Sequence, residues 1–596
     1  MWQLMVKVSL DVDSPVHRIN DDVKVVVNAS NDEGREVLFK FKLEYFLNDV
    51  AKKSSEYSIV LLPGEAQVIE DEVKLDEEGL WVIKLSGGFD ETSVSKSIKV
   101  KVADFKEPVR LALVYHMHQP PWYMSDGRYY AEWAFAYIYE PVMAPFFNGG
   151  PYLFHAVLND KYRGVKVNIH LSPSLLRQWI DAIERGYTTV NGARYDRGSD
   201  VVKLVEKTLE MYRRQINEGQ VEPLTSIYAH TIAGYLISRY SMLDIVDEEL
   251  SIGMSVTEEA LKVKPTGAWT PEMAWDMQLI DVYRKNGIKY TVLCGRNHFP
   301  GSQGDKGTIY EPYSLEDSLT VFFRDERLSN LLSFQNVFPH EENALKFAAM
   351  LARSITDASG LVTIALDGEN FIAMSKTPAL VGFMLDKFYS YISRMQDLKI
   401  IETVKLSQLA EGRYRRLTFI PTTTWLGGFT KWDGERREHR DYWVRVVDAY
   451  NVVKAVESSI GERLSDARYA LWHALDSDFW WADFWTPDLI NHWLSNVNSS
   501  ILGKVKLAIS PTTDKYEGFL NRPMNIEVRA VNESGFNIRA RLTCMEHSMD
   551  VNIPSGESKL TCSIVPRLAG TYRVPVVVSL GDWAFTSTYI TLNIHY

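Results

Sequence analysis

Repeated β-then-α units closing into a barrel, with a β-sandwich at either end, are the α/β fold this sequence predicts. Three observations predict it: short alternating runs at both ends, near-continuous apolar runs through the middle, and helical periodicities between those apolar runs. The 596 residues are enough for three or four domains and at least one large buried core.

Residues 1–106 carry KVVVNAS, LFKFKLEYF, YSIVLL and LWVIKLSG, separated by Asn, Asp and Gly turns. This reads as a β-sandwich of immunoglobulin-like size. From 107 to 400 the texture changes to runs such as LALVY (111–115), TVLC (291–294), LTVFF (319–323) and LVTIAL (361–366). Such runs belong to parallel strands buried on both faces. Helical patterns lie between them, among them VVKLVEKTLEMYRRQI (201–216) and NALKFAAMLARSITDA (343–358), so the segment reads as a barrel with its catalytic groups where strands end. Residues 401–502 turn mostly helical, with ERREHRDYWVRVVDAYNVVKAV (435–456) and RLSDARYALWHAL (463–475), a layer expected beside the barrel mouth. Residues 503–596 return to alternation in VKLAIS, MNIEVRAVN, YRVPVVVSL and YITLNI, a second β-sandwich. Their ending, GTYRVPVVVSLGDWAFTSTYITLNI, echoes GLWVIKLSGGFDETSVSKSIKVKV (79–102), as if one module were used at both ends.

With 46% apolar and 24% charged residues, the chain is neither disordered nor collagen-like. The 16 tryptophans and 30 tyrosines are high counts; such rings stack on sugars as well as fill cores. A net charge of -12 provides no basic excess for a nucleic acid, and a neutral substrate fits better. Three cysteines make no disulfide framework and no zinc pattern, although Cys544 and Cys562 share a segment and could pair. The N-terminal stretch MWQLMVKVSLDVDSP has no leader pattern, and no run reaches the ~18 apolar residues of a membrane span. A cytoplasmic location with no membrane partner is therefore expected. Only 11 glutamines hint at a hot source.

LALVYHMHQPPWY is an apolar strand that ends in His116, His118 and Gln119, which places polar groups at a barrel mouth. Two readings of His-x-His stand beside a sugar site: histidines satisfied by neighbours, and a zinc site of the kind a metal-dependent deacetylase uses. No second closely spaced His/Asp pair supports the zinc reading, so no metal or cofactor is expected. LVTIALDGENF repeats the geometry and delivers Asp367 to the rim, although Asp-Gly is also an ordinary turn signal. GAWTPEMAWD supplies a second carboxylate, Glu272, 95 positions earlier. Two carboxylates in an aromatic cleft, without nucleotide, serine-hydrolase or zincin motifs, are the equipment of glycosidic bond cleavage. For Asp367 to act as the acid near neutrality, its pKa must rise roughly 2 to 3 units from ~3.9. Desolvation and repulsion from an ionised Glu272 would supply that rise.

Five segments in order resemble glycoside hydrolase family 57: HMHQP (116–120), GQVEP (219–223) followed by YAHTI, GAWTPE (267–272), LDGEN (366–370) and ALDSDFWWAD (474–483). The resemblance covers about residues 109–500, and FFRDERLSNLLSF (322–334) adds to it. It implies an incomplete (β/α)7 barrel with a following helical region and activity on α-glucans. By the same resemblance Glu272 is the nucleophile and Asp367 the acid/base of a retaining mechanism, which requires carboxyl groups ~5 to 5.5 Å apart. His230 then resembles the pocket histidine, Glu222 lies in the second segment, and Asp478 and Trp480 are sugar contacts. His116, His118 and Gln119 would hydrogen-bond hydroxyls, and Trp269 and Trp275 would form stacking walls. The implied activity is an amylase or amylopullulanase type hydrolase taking α-glucan or malto-oligosaccharide. Glucan transfer or branching by the same pair is the alternative, and a non-catalytic glucan-binding protein a third. TTTWLGGFTKWDGE (422–435) reads as a mobile loop over the cleft or as a tight packing turn, and DWAF (582–585) permits sugar binding.

Overall fold

The computed structural model describes residues 6–333 and 336–596; the start of the stretch read for a leader and the end of FFRDERLSNLLSF lie outside them. The described residues form two compact units, Met1–Trp122 with Arg128–Gly428, and Tyr123–Gly127 with Phe429–Tyr596. The first unit therefore runs past the expected boundary at 400. The reason is that the short strands Ile401–Thr403 and Arg415–Phe419 pair into the same sheet as the apolar runs before them. Among the described residues no helix is long and apolar enough to cross a membrane.

The first unit opens with eight strands: β1 (Val6–Val12), β2 (Val16–Arg18), β3 (Asp22–Asn31), β4 (Val37–Leu47), β5 (Val50–Leu61), β6 (Ala66–Lys74), β7 (Gly79–Phe89) and β8 (Thr92–Ala103). They form two sheets, ordered β1-β3-β6 and β2-β8-β7-β4-β5. Alternation directs Phe39, Phe41, Leu43 and Tyr45 of β4 inward, with Leu38, Lys40, Lys42 and Glu44 between them.

Seven parallel strands follow: β9 (Val109–Met117), β10 (Val167–Leu171), β11 (Val221–Thr225), β12 (Gly267–Trp269), β13 (Tyr290–Cys294), β14 (Leu319–Arg324) and β15 (Leu361–Asp367). Their order is β14-β13-β12-β11-β10-β9-β15. Every residue of β10, β11, β13 and β14 is buried, as expected of strands covered on both faces. Between the two outermost strands, the Asp325 N–H beyond β14 donates to the Thr363 carbonyl of β15 (2.8 Å). The result is an α/β barrel-like unit. Its register aligns the ends of three strands: Asp367 lies opposite His116, and His116 opposite His170.

The two N-terminal sheets are fastened by charge to the helix Pro378–Asp397. Asp11 takes Lys387 Nζ at 2.7 Å and the Tyr391 hydroxyl at 2.5 Å, and Asp13 takes Arg394 Nε at 2.8 Å. Arg18 donates to the carbonyls of Leu398 and Lys399 where that helix ends. Burial alone would raise the Asp13 carboxyl, but His17, Arg394 and the Lys24 N–H together hold it below its ordinary value. A depressed carboxyl contributes stability above its unfolded pKa, and loses it as pH falls through the lower folded value. Asp13→Asn is accordingly expected to lower the thermal midpoint at pH 7, at a cost of about 1 kcal/mol after allowing for the exposed face of Arg394. Melts from pH 7 to pH 3 should show that difference closing below about pH 4.

The second unit carries the helices His439–Ile460, Ser465–His473 and Pro487–Lys504, then eight strands from Leu507 to His595. Numbered from their own start, those strands pair in the orders first-third-sixth and second-eighth-seventh-fourth-fifth, identical to the two N-terminal sheets. The sequence echo falls on the seventh and eighth strands of each. The likeness extends to side chains. Asn31 ends the third strand of one sandwich, its amide donating to the carbonyls of Arg35, Leu61 and Leu62. Asn532 ends the third strand of the other and donates to those of Phe536, Ile553 and Pro554. Both are fully buried, so each amide satisfies carbonyls that would otherwise be stranded. In the second sandwich Cys544 and Cys562 are joined.

Candidate active site

The end of β9 begins the site. His116 and His118 bracket the strand's last residue, and the rings of His116, His170 and His230 gather there with Trp269. The His116 ring lies 4.9 Å from that of His170, 4.7 Å from His230 and 4.6 Å from Trp269, all within 14° of parallel. His118 stacks on His230 at 4.1 Å. His116 Nδ1 and His170 Nδ1 are 2.7 Å apart, so one carries the proton there and the other accepts it, which fixes opposite tautomers. The hydroxyl of Ser172, which caps the helix Pro173–Arg185 by accepting the Leu175 N–H, also holds His118 Nδ1 at 2.9 Å. One cap thus orients one ring.

Burial pushes the imidazole of His118 down to about 3, and those of His116, His170 and His230 fall well below their ordinary value. Proximity to one another adds to the effect at His116, His170 and His230. All four rings are neutral at pH 7 and serve as hydrogen-bonding surfaces rather than charges.

Glu272 stands on a one-turn 3-10 segment, Pro271–Met273, directly after β12. Its φ of 54° and the 49° of Met273 lie in the left-handed region, which costs a non-glycine residue about 1 to 2 kcal/mol. Cross-bonds maintain the turn: Met273 N–H to Thr270 C=O, Ala274 N–H to Pro271 C=O, and Trp425 N–H to Glu272 C=O. His230 shares the left-handed conformation, at φ 53°. Backbone held in this way aims a side chain that an ordinary strand end would not. The Trp425 indole N–H donates to Glu272 Oε2 at 3.0 Å, and His230 Nδ1 lies 3.7 Å from Oε1. An indole is a donor only, so this arrangement suits an acceptor carboxylate.

Asp367 is the last residue of β15, partly exposed where the strand emerges. Burial of its carboxyl pushes the pKa up to about 6, against the opposing pull of Asn370 and of the Arg324 guanidinium. Arg324 ends β14; it is buried, donates to Asn330 Oδ1 at 2.7 Å and lies 5.3 Å from the Trp425 ring centre. Arg324 thus acts electrostatically on Asp367 and lies beside Trp425, whose indole bonds Glu272. Glu369, two residues beyond Asp367, is buried and accepts the His118 N–H at 2.8 Å, which ties the ends of β9 and β15 together.

The remaining expected residues divide. Gln119 is buried and its amide oxygen accepts the Trp122 indole N–H at 2.8 Å. Trp269 is fully buried behind His116, its edge toward Trp425 at 5.7 Å, and so forms the back of the ring cluster. Trp275 is fully buried as well, in the same apolar core cluster as Trp269, with Tyr283 6.2 Å away in an edge-to-face arrangement. Glu222 lies at another level of the barrel-like unit. In register it pairs with Asn168, two residues before His170, and its oxygens take the Tyr290 hydroxyl at 3.0 Å and the Ser407 hydroxyl at 2.7 Å. Those bonds make it a fastening between strands and the 405–409 turn, near the start of its strand rather than at the C-terminal strand ends. Asp478 and Trp480 belong to the second unit. There the Asp478 N–H donates to Asp476 Oδ1, while Trp480 stacks on Trp443 at 3.8 Å and donates to the Ala474 carbonyl.

Three contributors escaped the sequence reading: His170, Arg324 as the neighbour of Asp367, and Trp425. For His170 the sequence signal is weak, since Asn168 interrupts VNIHL; pairing of His170 opposite His116 is what brings it to the site. The 422–428 part of the questioned loop proves to be a tight turn. Thr424 Oγ1 donates to the Gly428 carbonyl at 2.6 Å, and the Asn297 amide donates to the carbonyls of Thr424 and Trp425.

A family model described as Glycosyl hydrolase family 57 matches residues 112–422. An alpha-amylase of Pyrococcus horikoshii is 25% identical over 316 residues, 52% of this chain and 41% of that protein. A 4-alpha-glucanotransferase of Thermococcus litoralis is 25% identical over 261 residues, 43% of this chain and 32% of that protein. The chain thus spans less than half the length of these curated relatives. A crystal structure of 4-alpha-glucanotransferase from Thermococcus litoralis superposes with a TM-score of 0.46 at 15% identity, over 79% of this chain and 85% of that one.

Proposed function

The chain belongs to glycosyl hydrolase family 57, and from that premise we propose that it is a retaining enzyme acting on α-glucans, with hydrolysis of α-1,4 links as its first activity. The observation that carries the reading is the contrast between two carboxyls. Asp367 is pushed up to about 6, whereas Glu272 faces an indole donor. An acid must hold a proton and a nucleophile must present an acceptor oxygen, and these two surroundings suit those two roles.

In the first step Glu272 forms a bond to the anomeric carbon as the glycosidic C–O bond breaks, and the Asp367 proton passes to the departing oxygen. In the second, Asp367 as carboxylate takes a proton from water, whose oxygen displaces Glu272 from the anomeric carbon. The neutral imidazoles of His116, His118 and His230 supply hydrogen bonds to hydroxyls without adding charge beside either carboxyl. The N–H of Trp425 holds the nucleophile's second oxygen. Trp425→Phe removes that bond and is expected to lower kcat roughly tenfold to 100-fold, as befits the loss of a hydrogen bond to a charged group.

Incubation with maltoheptaose, with products resolved by size, tests the activity. Shorter sugars alone indicate hydrolysis. Longer chains indicate transfer to an acceptor sugar in place of water, the reaction that one relative's name describes. No turnover of any α-glucan, together with stoichiometric zinc and activity lost on chelation, would instead favour a metal-dependent deacetylase.

A further inference from the structure

The second unit holds a half-open cleft of about 920 Å³ between the helices His439–Ile460 and Pro487–Lys504 and the turn that joins the last two strands. That turn is two residues long, Gly581-Asp582, with Leu580 paired to Trp583. Gly581 has a φ of 58°, and a Cβ there would sit 2.7 Å from the Cβ of Ala455. Only a glycine allows the turn to rest on the helix so closely, and the contact fixes where Trp583 begins the last strand. Its indole lines the cleft and remains partly exposed.

The lining points to a class of ligand. Arg445 and Lys454 supply two positive charges, and Asp448 and Asp582 two negative ones, so the cleft has no net preference for an ion. Exposed Asn451 and Asn498, one from each helix, offer both donors and acceptors. A flat ring beside amides in a charge-balanced, open cleft matches a neutral polyhydroxyl chain: the ring takes the apolar face of a sugar and the amides its hydroxyls. The N-terminal sandwich sharpens the point. It has the same strand order, yet at the position of Trp583 it carries Thr92, paired to Phe89 across its own turn. The tryptophan is thus particular to the C-terminal copy and not part of the shared strand pattern.

We propose that this cleft is a second sugar-binding site that takes a segment of neutral glucan chain. That the sugar is an α-glucan rests on the function proposed above; that it is neutral and polyhydroxylated rests on the cleft alone. The test uses the full chain as wild type, Trp583→Ala and Asn451→Ala/Asn498→Ala. Measured are adsorption to insoluble starch and to a panel of other neutral polysaccharides, kcat on maltoheptaose, and the thermal midpoint. Both variants are expected to adsorb roughly tenfold more weakly, with maltoheptaose kcat and midpoint unchanged. If Trp583→Ala fails to fold, the asparagine variant decides. Starch cleaved by a wild type whose adsorption neither variant alters overturns the site and leaves the function standing. Adsorption of another neutral polysaccharide through Trp583, without α-glucan cleavage, leaves the site standing and overturns the function. Adsorption to nothing overturns the site.

Discussion

Glu272→Gln should lower kcat on malto-oligosaccharides by on the order of 10⁴ while leaving the fold and substrate binding in place. The amide is nearly isosteric with the carboxylate, and its oxygen can still accept the Trp425 indole N–H. It cannot form the glycosyl bond. A loss of that size, about 5 kcal/mol in the barrier, exceeds what a displaced hydrogen bond explains. Glu272→Gly with added azide provides the stereochemical check. Azide enters the space the carboxylate leaves, bonds to the anomeric carbon from that face, and expels the departing sugar. An α-linked substrate then yields the β-azide if Glu272 is the nucleophile. The α-azide would assign Glu272 to the acid/base role, and unchanged kcat in Glu272→Gln would remove it from the chemistry.

Much of this arrangement was legible because strand ends write themselves into sequence. Four or more apolar residues followed by a polar one marked β9 and β15, and with them His116, His118 and Asp367. That rule misses His170, because Asn168 interrupts the apolar run of VNIHL and only strand pairing sets His170 level with His116. The echo between 79–102 and 570–594 was legible because it falls on two paired strands, whereas the common order of all eight strands in the two copies came only from the pairing. Contacts between distant turns were not. The indole of Trp425 reaches Glu272 across 153 positions, and only tertiary structure brings the two together. Glu222 shows the opposite limit. Its motif sits beside the site in order, but its place within β11, two residues short of the level of His170, sends the carboxylate to Tyr290 and Ser407 instead. Nor could composition tell that of two buried tryptophans flanking the same glutamate, Trp269 stacks on His116 while Trp275 packs against Tyr283.

The Asp367 carboxyl yields the most discriminating pH experiment. Burial holds its pKa at about 6, so kcat/KM should fall on the alkaline side with an apparent pKa near that value. Arg324 pulls in the opposite direction, favouring the ionised form. Arg324→Gln removes that pull, keeps Asp367 protonated to higher pH, and should move the alkaline limb upward. A limb that moves downward, or not at all, would take the acid role away from Asp367. Stability must follow the same proton. An acid whose folded pKa lies above its unfolded value binds more protons when folded, so stability falls as pH rises from about 4 through 6 and stays lower beyond. The difference between ~3.8 and ~6 corresponds to roughly 3 kcal/mol once both carboxyls are ionised. Asp367→Asn places a neutral amide in the same volume and escapes that penalty. The variant should therefore melt higher than wild type at pH 8, match it below about pH 4, and lose turnover of unactivated glucans by a factor of at least ~10². A residue that carried only structural weight would cost stability on substitution. One kept protonated for proton transfer stabilises the fold when its charge is removed, and the sign of the melting difference at pH 8 tells the two apart.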